Sequence, residues 1–261
     1  MSLMYELDYL ARRIYFSFKA FMIYRAQAAT WVFASFFETL IPLLAINVIY
    51  TVSPGIAGWN YYQLLCLAAV GNIFSSVMWF LISPWGMVRN MVSGGVDAYL
   101  TKPYSKATAL LSTALFPGGV AGSISGLALL VYALVHLHVT VISVIGFMGV
   151  LILGFIALFW FSLAVTVLSY HVLKSATFIA RVLNYSDAIS SYPLTVFGIV
   201  GQMIFTLVIP FGLAYYYPSL ALLGLLSVSG YALVIGVTVA ITLASYAAFN
   251  FLIKGYASGG G

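Results

Sequence analysis

The sequence predicts an all-α integral membrane protein, and three observations carry the prediction. Of its 261 residues, 64% are hydrophobic and only 6% charged, whereas a water-soluble domain needs roughly a quarter charged to cover its surface. Mean hydropathy is +1.11. Long runs such as VISVIGFMGVLILGFIALFWFSLAVTVL, residues 141–168, lack the apolar–polar alternation of a barrel strand. In hydrocarbon every backbone amide needs a partner, so such runs span as helices.

A span takes about 20 mostly apolar residues. Six runs qualify, at 27–50, 62–83, 108–135, 140–170, 194–214 and 229–253. They form one transmembrane domain over 27–254, preceded by an N-terminal segment 1–26 and followed by a flexible tail, 255–261. The fourth run is too long for one straight crossing, so it tilts, kinks or projects. Pro210 interrupts the fifth, which makes 210–226 a candidate re-entrant segment lodged against protein or a water-filled cavity.

Lys and Arg set the orientation. Arg12, Arg13, Lys19 and Arg25 precede the first span. Arg89, Lys102 and Lys106 lie between the second and third, Lys174 and Arg181 between the fourth and fifth, and Lys254 after the sixth. The connections 51–61, 136–139 and 215–228 contain none. All ten bases therefore fall on one side, which places both termini in the cytoplasm. No cleavable leader is expected, because Lys19 and Arg25 interrupt the apolar core that a leader requires.

In the N-terminal segment Leu7, Leu10, Ile14, Phe18 and Phe21 share one helical arc, with Asp8, Arg12 and Lys19 opposite. This is the pattern of an amphipathic helix lying in the inner membrane surface, as an anchor, a docking element or both.

Two stretches have a more specific pattern. GGVDAYLTKPYS, residues 94–105, holds Gly95, Asp97, Leu100, Lys102 and Pro103. YPLTVFGIVGQMIFTLVIPFGLAYYYPS has Tyr192–Pro193, Ile209–Pro210 and Tyr217–Pro218, and Phe159–Trp160 accompanies them. Together with six spans, an interfacial N-terminal helix and cytoplasmic ends, these resemble the type-2 ABC exporter permeases, in a bacterial and archaeal branch. The resemblance covers nearly the whole chain. It implies a second permease, identical or related, and separate cytoplasmic ATPase subunits that hold ATP and Mg. It also implies a pathway between two permease halves in the cell membrane. This chain has no GxxxxGK[ST] phosphate cradle, since Lys102 and Lys174 lack the preceding glycines. No cofactor and no ATPase activity of its own is expected.

A coupling element needs a short rigid helix across the ends of two spans. Segment 84–106 has the parts. Pro84 and Gly86 allow a bend, Arg89 and Asn90 supply a polar face, and Gly94–Gly95 let the backbone turn. Asp97 is placed to cap a short helix that Pro103 ends, with Lys102 near its negative end. On local propensity alone Asp97 and Lys102 read as ordinary cap and dipole residues of a tight loop. The resemblance favours a docking site for the ATPase, with Tyr99 as an exposed anchor. The second inner loop, from His171 to Pro193 and including Ser186 and Asp187, is amphipathic and is expected to form an interfacial helix rather than a second contact with the ATPase.

Inside the spans, Glu38 lies near the middle of the first. A carboxylate there costs about 3 kcal/mol or more, so it is expected to be protonated or paired. Two roles stay open: a pathway residue, or a neutral acid bonded to a neighbour such as Asn72. Asn72 and Gln202 are pathway candidates or interhelical glue. His136 and His138 are expected to be interfacial, Cys66 excludes an internal disulfide, and no metal site is expected. The bases are scattered singly, which argues against nucleic acid. An ATP-independent carrier or channel would need more midplane ionisable groups, and an intramembrane enzyme a polar cluster.

Overall fold

The structure is a computed structural model that describes residues 3–53, 55–173 and 189–257. All regular structure among them is helical, apart from one isolated bridge between Ile56 and Trp59. The protein is an all-α membrane protein. Helices long and apolar enough to cross occur at Arg25–Val52, Tyr61–Val92, Pro117–Val135, Val141–Val172 and Val228–Gly255. A sixth span arises if the bent pair Leu194–Val208 and Phe211–Leu222 is one crossing.

Helix α1 (Leu3–Ile23) is followed by α2 (Arg25–Val52), the first span. Helix α3 (Tyr61–Leu81) starts at a capping box in which Asn60 and Gln63 satisfy each other's backbone amides. Ser83 caps α4 (Pro84–Val92), and Pro84 occupies the position where a helix needs no amide donor. A short helix, α5 (Asp97–Leu100), leads to α6 (Lys106–Ala114).

The run expected to cross at 108–135 is two helices. α6 stops at Ala114, a tight turn covers Pro117–Gly119, and α7 (Val120–Val135) makes the crossing. Pro117 cannot donate to a continuing helix, which accounts for the break. α7 lies unusually close to α3. A Cβ at Gly122 would overlap the Ser76 hydroxyl, and one at Gly126 would lie 2.8 Å from Asn72 Oδ1. Small residues spaced four apart are what allow helices to approach this closely in lipid.

Helix α8 (Val141–Leu173) stays unbroken over 33 residues. At 1.5 Å per residue it is about 50 Å long, against a hydrocarbon core of about 30 Å, so it projects beyond the core. The fifth run is irregular. It passes through a tight turn, α9 (Gly198–Met203) and a wide π-turn at Ile204–Val208 before bending 81° near Pro210. The chain then continues through α10 (Tyr216–Leu222) to the last span, α11 (Val228–Leu252). The bend nests against α8, where a Cβ at Gly154 would overlap the Leu213 carbonyl. The bend itself, residues 210–216, is thus buried in protein, as its depth requires.

Both ends of the described chain meet at the end of the bundle that carries the bases. Tyr256 reaches α4 and α5, and Arg13 reaches α6. At the opposite end Tyr50 donates to the Trp59 carbonyl, Tyr61 donates to Asn47, and Tyr62 stacks on His136 at 4.2 Å. Lys174, Arg181, Ser186 and Asp187 of the second inner loop lie outside the described residues.

Candidate functional site

At the basic end α4 is amphipathic. Met87, Val88 and Met91 are buried, and Met87 and Met91 share one core cluster with Leu110, Leu163 and Val167. Trp85, Arg89 and Val92, at helical spacing, are exposed on the other face. Asn90, expected on the polar face, instead turns inward and donates to the Thr113 carbonyl at 3.0 Å. The turn after α4 depends on Gly94 rather than Gly95, because only Gly94 takes the left-handed φ, 72°.

Asp97 does not cap α5. Val96 holds the cap position without a side-chain bond, and Asp97 is the first helical residue. Its Oδ1 accepts from the Tyr256 hydroxyl at 2.8 Å, and the same hydroxyl reaches the Met91 carbonyl at 3.1 Å. One phenol just beyond the last span therefore ties both sides of the elbow. Burial raises the pKa of that phenol, and the bond to the Asp97 carboxylate raises it further, so it keeps its proton at neutral pH. Further along, Tyr170 donates to the Ala257 carbonyl, and His171 Nε2 bonds the Leu252 carbonyl. The overhang of α8 thereby secures the C-terminal end of α11.

Tyr99 is not the exposed anchor expected of it. It is half-buried, with the Arg13 guanidinium 5.3 Å and the Lys102 ammonium 5.0 Å from its ring centroid. Lys102 also lies 5.7 Å from the Tyr9 ring, and Tyr9 stacks on Tyr104 at 4.1 Å. Pro103 sits in the exposed turn beyond α5, which has already closed at Thr101.

Helix α1 is clamped onto this elbow. The Glu6 carboxylate accepts from the Ser105 amide, the Ser105 hydroxyl and the Thr108 hydroxyl, at 2.9, 2.9 and 2.6 Å. Arg13 donates to the Ser112 carbonyl at 2.7 Å. The Thr108 bond does most to hold the Glu6 carboxyl below its ordinary pKa, partial burial opposes it, and the Ser105 bonds add to it. Of the expected apolar arc, Leu10, Phe18 and Phe21 pack on the protein while Leu7 is exposed. Tyr15, Phe16, Met22 and Ile23 are also exposed, as suits a helix lying against lipid.

Midway along the spans, Glu38 and Asn72 line one cleft of about 530 Å³, together with Ser75, Ser76, Trp31 and Trp79. They are not bonded to each other. Asn72 Nδ2 donates to Thr39 Oγ1 at 3.1 Å, and Thr39 is paired with Ser125 at 2.6 Å, so Asn72 ties α3 to α2 and α7. Glu38 has no hydrogen bond or ion pair among the described residues. Gln202, half-buried on α9, is not part of this cleft.

Sequence reasoning missed Glu6 and Tyr256, because nothing local marks a residue whose partners lie about a hundred or more positions away. It also missed Pro42, which is visible in ASFFETLIP four residues after Glu38.

Among known proteins, the family model described as ABC-2 family transporter protein matches residues 36–260. No curated protein and no solved structure matches significantly. The matched region begins inside α2 and takes in Glu38, the elbow and every later span, whereas α1 precedes it. With its elbow at the basic end and its helices crossing the membrane, the chain belongs to the ABC-2 transporter family and is a multi-pass permease of an ABC transporter.

Proposed function

We propose that this permease works in the cell membrane as one half of an exporter, paired with a second permease and driven by separate ATPase subunits. The ATPase grips the exposed face of α4 (Trp85, Arg89 and Val92) and the adjoining turn at Lys102–Pro103. Closure of the motor moves the elbow, and the spans follow. The observation that carries this reading is the division of labour on α4. One face is locked into the core, so force applied to the other reaches α6, α8 and α11 rather than dissipating in a loose loop. Aromatic and Arg side chains are also those that dominate interface energetics. Gly94 shapes the same surface through its turn, and Asp97 and Tyr99 brace it from behind. ATP and Mg belong to the partner.

The test is co-expression with an ABC ATPase subunit encoded beside this chain. Arg89→Glu and Trp85→Ala each insert and fold normally but lower co-purification by about tenfold or more, with a parallel loss of ATP hydrolysis. Wild-type association in both variants would remove α4 from the interface.

A further inference from the structure

Glu38 stands 13 residues into α2, about 20 Å along the helix from Arg25, which puts it near the bilayer midplane. No Lys or Arg occurs between Arg25 and Arg89, so neither α2 nor α3 supplies a cation to answer it. Pro42, which also lines the cleft, lies four residues further on. Having no N–H, it leaves the Glu38 carbonyl without its helical donor. The amide nitrogen of Asn72 is occupied by Thr39, and its Oδ1 is buried without a partner. The cleft thus holds a carboxylate, and an amide oxygen left without a donor lies buried in its wall against Gly126 of α7. Trp31, Trp79 and Phe116 line it too, with Trp31 edge-on to Phe116 at 4.9 Å. Aromatic faces attract cations, and a volume of about 530 Å³ is that of a small-molecule site.

We propose that this cleft binds the exporter's cargo and that the cargo is an amphipathic organic cation, an ammonium or guanidinium bearing N–H donors on an apolar body. The proposal rests on the permease reading above and names its substrate class. The cation answers a carboxylate that is otherwise costly at this depth, its N–H groups meet that carboxylate, and its apolar body lies among the aromatic rings. Among the described residues that line the cleft none is basic, so an anion finds no partner in them.

The probe is ethidium, a fixed cation with two aromatic amines, titrated by fluorescence against the purified chain in lipid nanodiscs without any ATPase. Nile red, neutral and apolar, serves as the control. Saturable ethidium binding is expected in the wild type. Glu38→Gln weakens it about tenfold or more, Glu38→Asp retains most of it, and Trp79→Leu weakens it several-fold. Nile red binding is unchanged in all three. Equal ethidium binding by wild type and Glu38→Gln overturns the proposal, and so does the absence of saturable binding in the wild type. If Glu38→Gln loses both dyes through misfolding, Glu38→Asp decides: failure to restore ethidium overturns the proposal as well. Arg89→Glu binds ethidium normally whatever its effect on the ATPase, which separates failure of this site from failure of the coupling reading.

Discussion

At the basic end, Asp97 is bonded to Tyr256, Glu6 to Ser105 and Thr108, and Arg13 to Ser112. In the membrane cleft, Glu38 has no partner among the described residues and Asn72 keeps an unanswered oxygen. The first region joins segments far apart in sequence, α1 to α6 and the C-terminal end to α4, by polar bonds that fix their geometry. The second leaves its lone carboxyl group facing an open space. On the proposed reading of the elbow as a handle and the cleft as a cargo site, the contrast matches what each would need. A handle must be stiff before its partner arrives, so its polar groups are matched within the chain. A binding site must keep unmatched groups, so that the ligand supplies the missing partner.

Disturbing the α3–α7 seam tests the contrast most severely. Gly126→Val drives a side chain against Asn72 and the Ile73 backbone, at an expected cost of about 1–3 kcal/mol. Thermal unfolding in lipid should fall accordingly, and ethidium binding should fall with it, while the bonds at the basic end persist. An unchanged unfolding temperature would mean that the helices are not packed as tightly as described.

Removing the brace at the elbow has a smaller effect. Tyr256→Phe deletes both bonds to α4 and α5 and should cost about 1 kcal/mol. Amide exchange over 91–100 then quickens about fivefold, while cleft binding stays intact. Asp97→Asn should weaken the same bond, and the double variant should be less than additive because the two residues share it. Full additivity would break the proposed brace.

The smallest effect concerns α1. Because the Glu6 pKa is lowered in the folded chain, its bonds contribute fully above the ordinary carboxylate value of 4.5 and are lost as pH falls through the lowered one. The carboxylate is largely solvent-screened, so the contribution is below about 1 kcal/mol. Spin labels placed by Met4→Cys and Lys106→Cys should give a narrow distance distribution at neutral pH that broadens only in acid below about pH 4.5. Glu6→Gln should abolish that pH dependence. A distribution broadening near pH 6 or 7 would assign the clamp to some other group.

Much of this architecture was legible in the chain. Apolar run length identified the spans, Pro210 foretold the bend in the fifth, and the bases marked one end. Pro117–Gly118–Gly119 was just as visible, yet its consequence was missed: hydropathy stays high across it, and a window that averages apolarity cannot register a lost backbone donor. At the elbow, local propensity made Asp97 a cap, and the family resemblance made Tyr99 an exposed anchor on the helix so capped. Propensity knows only neighbours in sequence, and both residues took partners from elsewhere, Asp97 from beyond the last span and Tyr99 from α1.

By itself the sequence determined the solvent, the helical class, the side on which the charges lie and the presence of a lone acid at mid-depth, because each follows from composition and one-dimensional spacing. Only the tertiary structure decided which polar groups are matched and which are left waiting. Hydrogen bonds form between atoms about 3 Å apart in space, and separations of about a hundred or more residues, such as Glu6 to Ser105 or Asp97 to Tyr256, are closed by packing that no local pattern encodes.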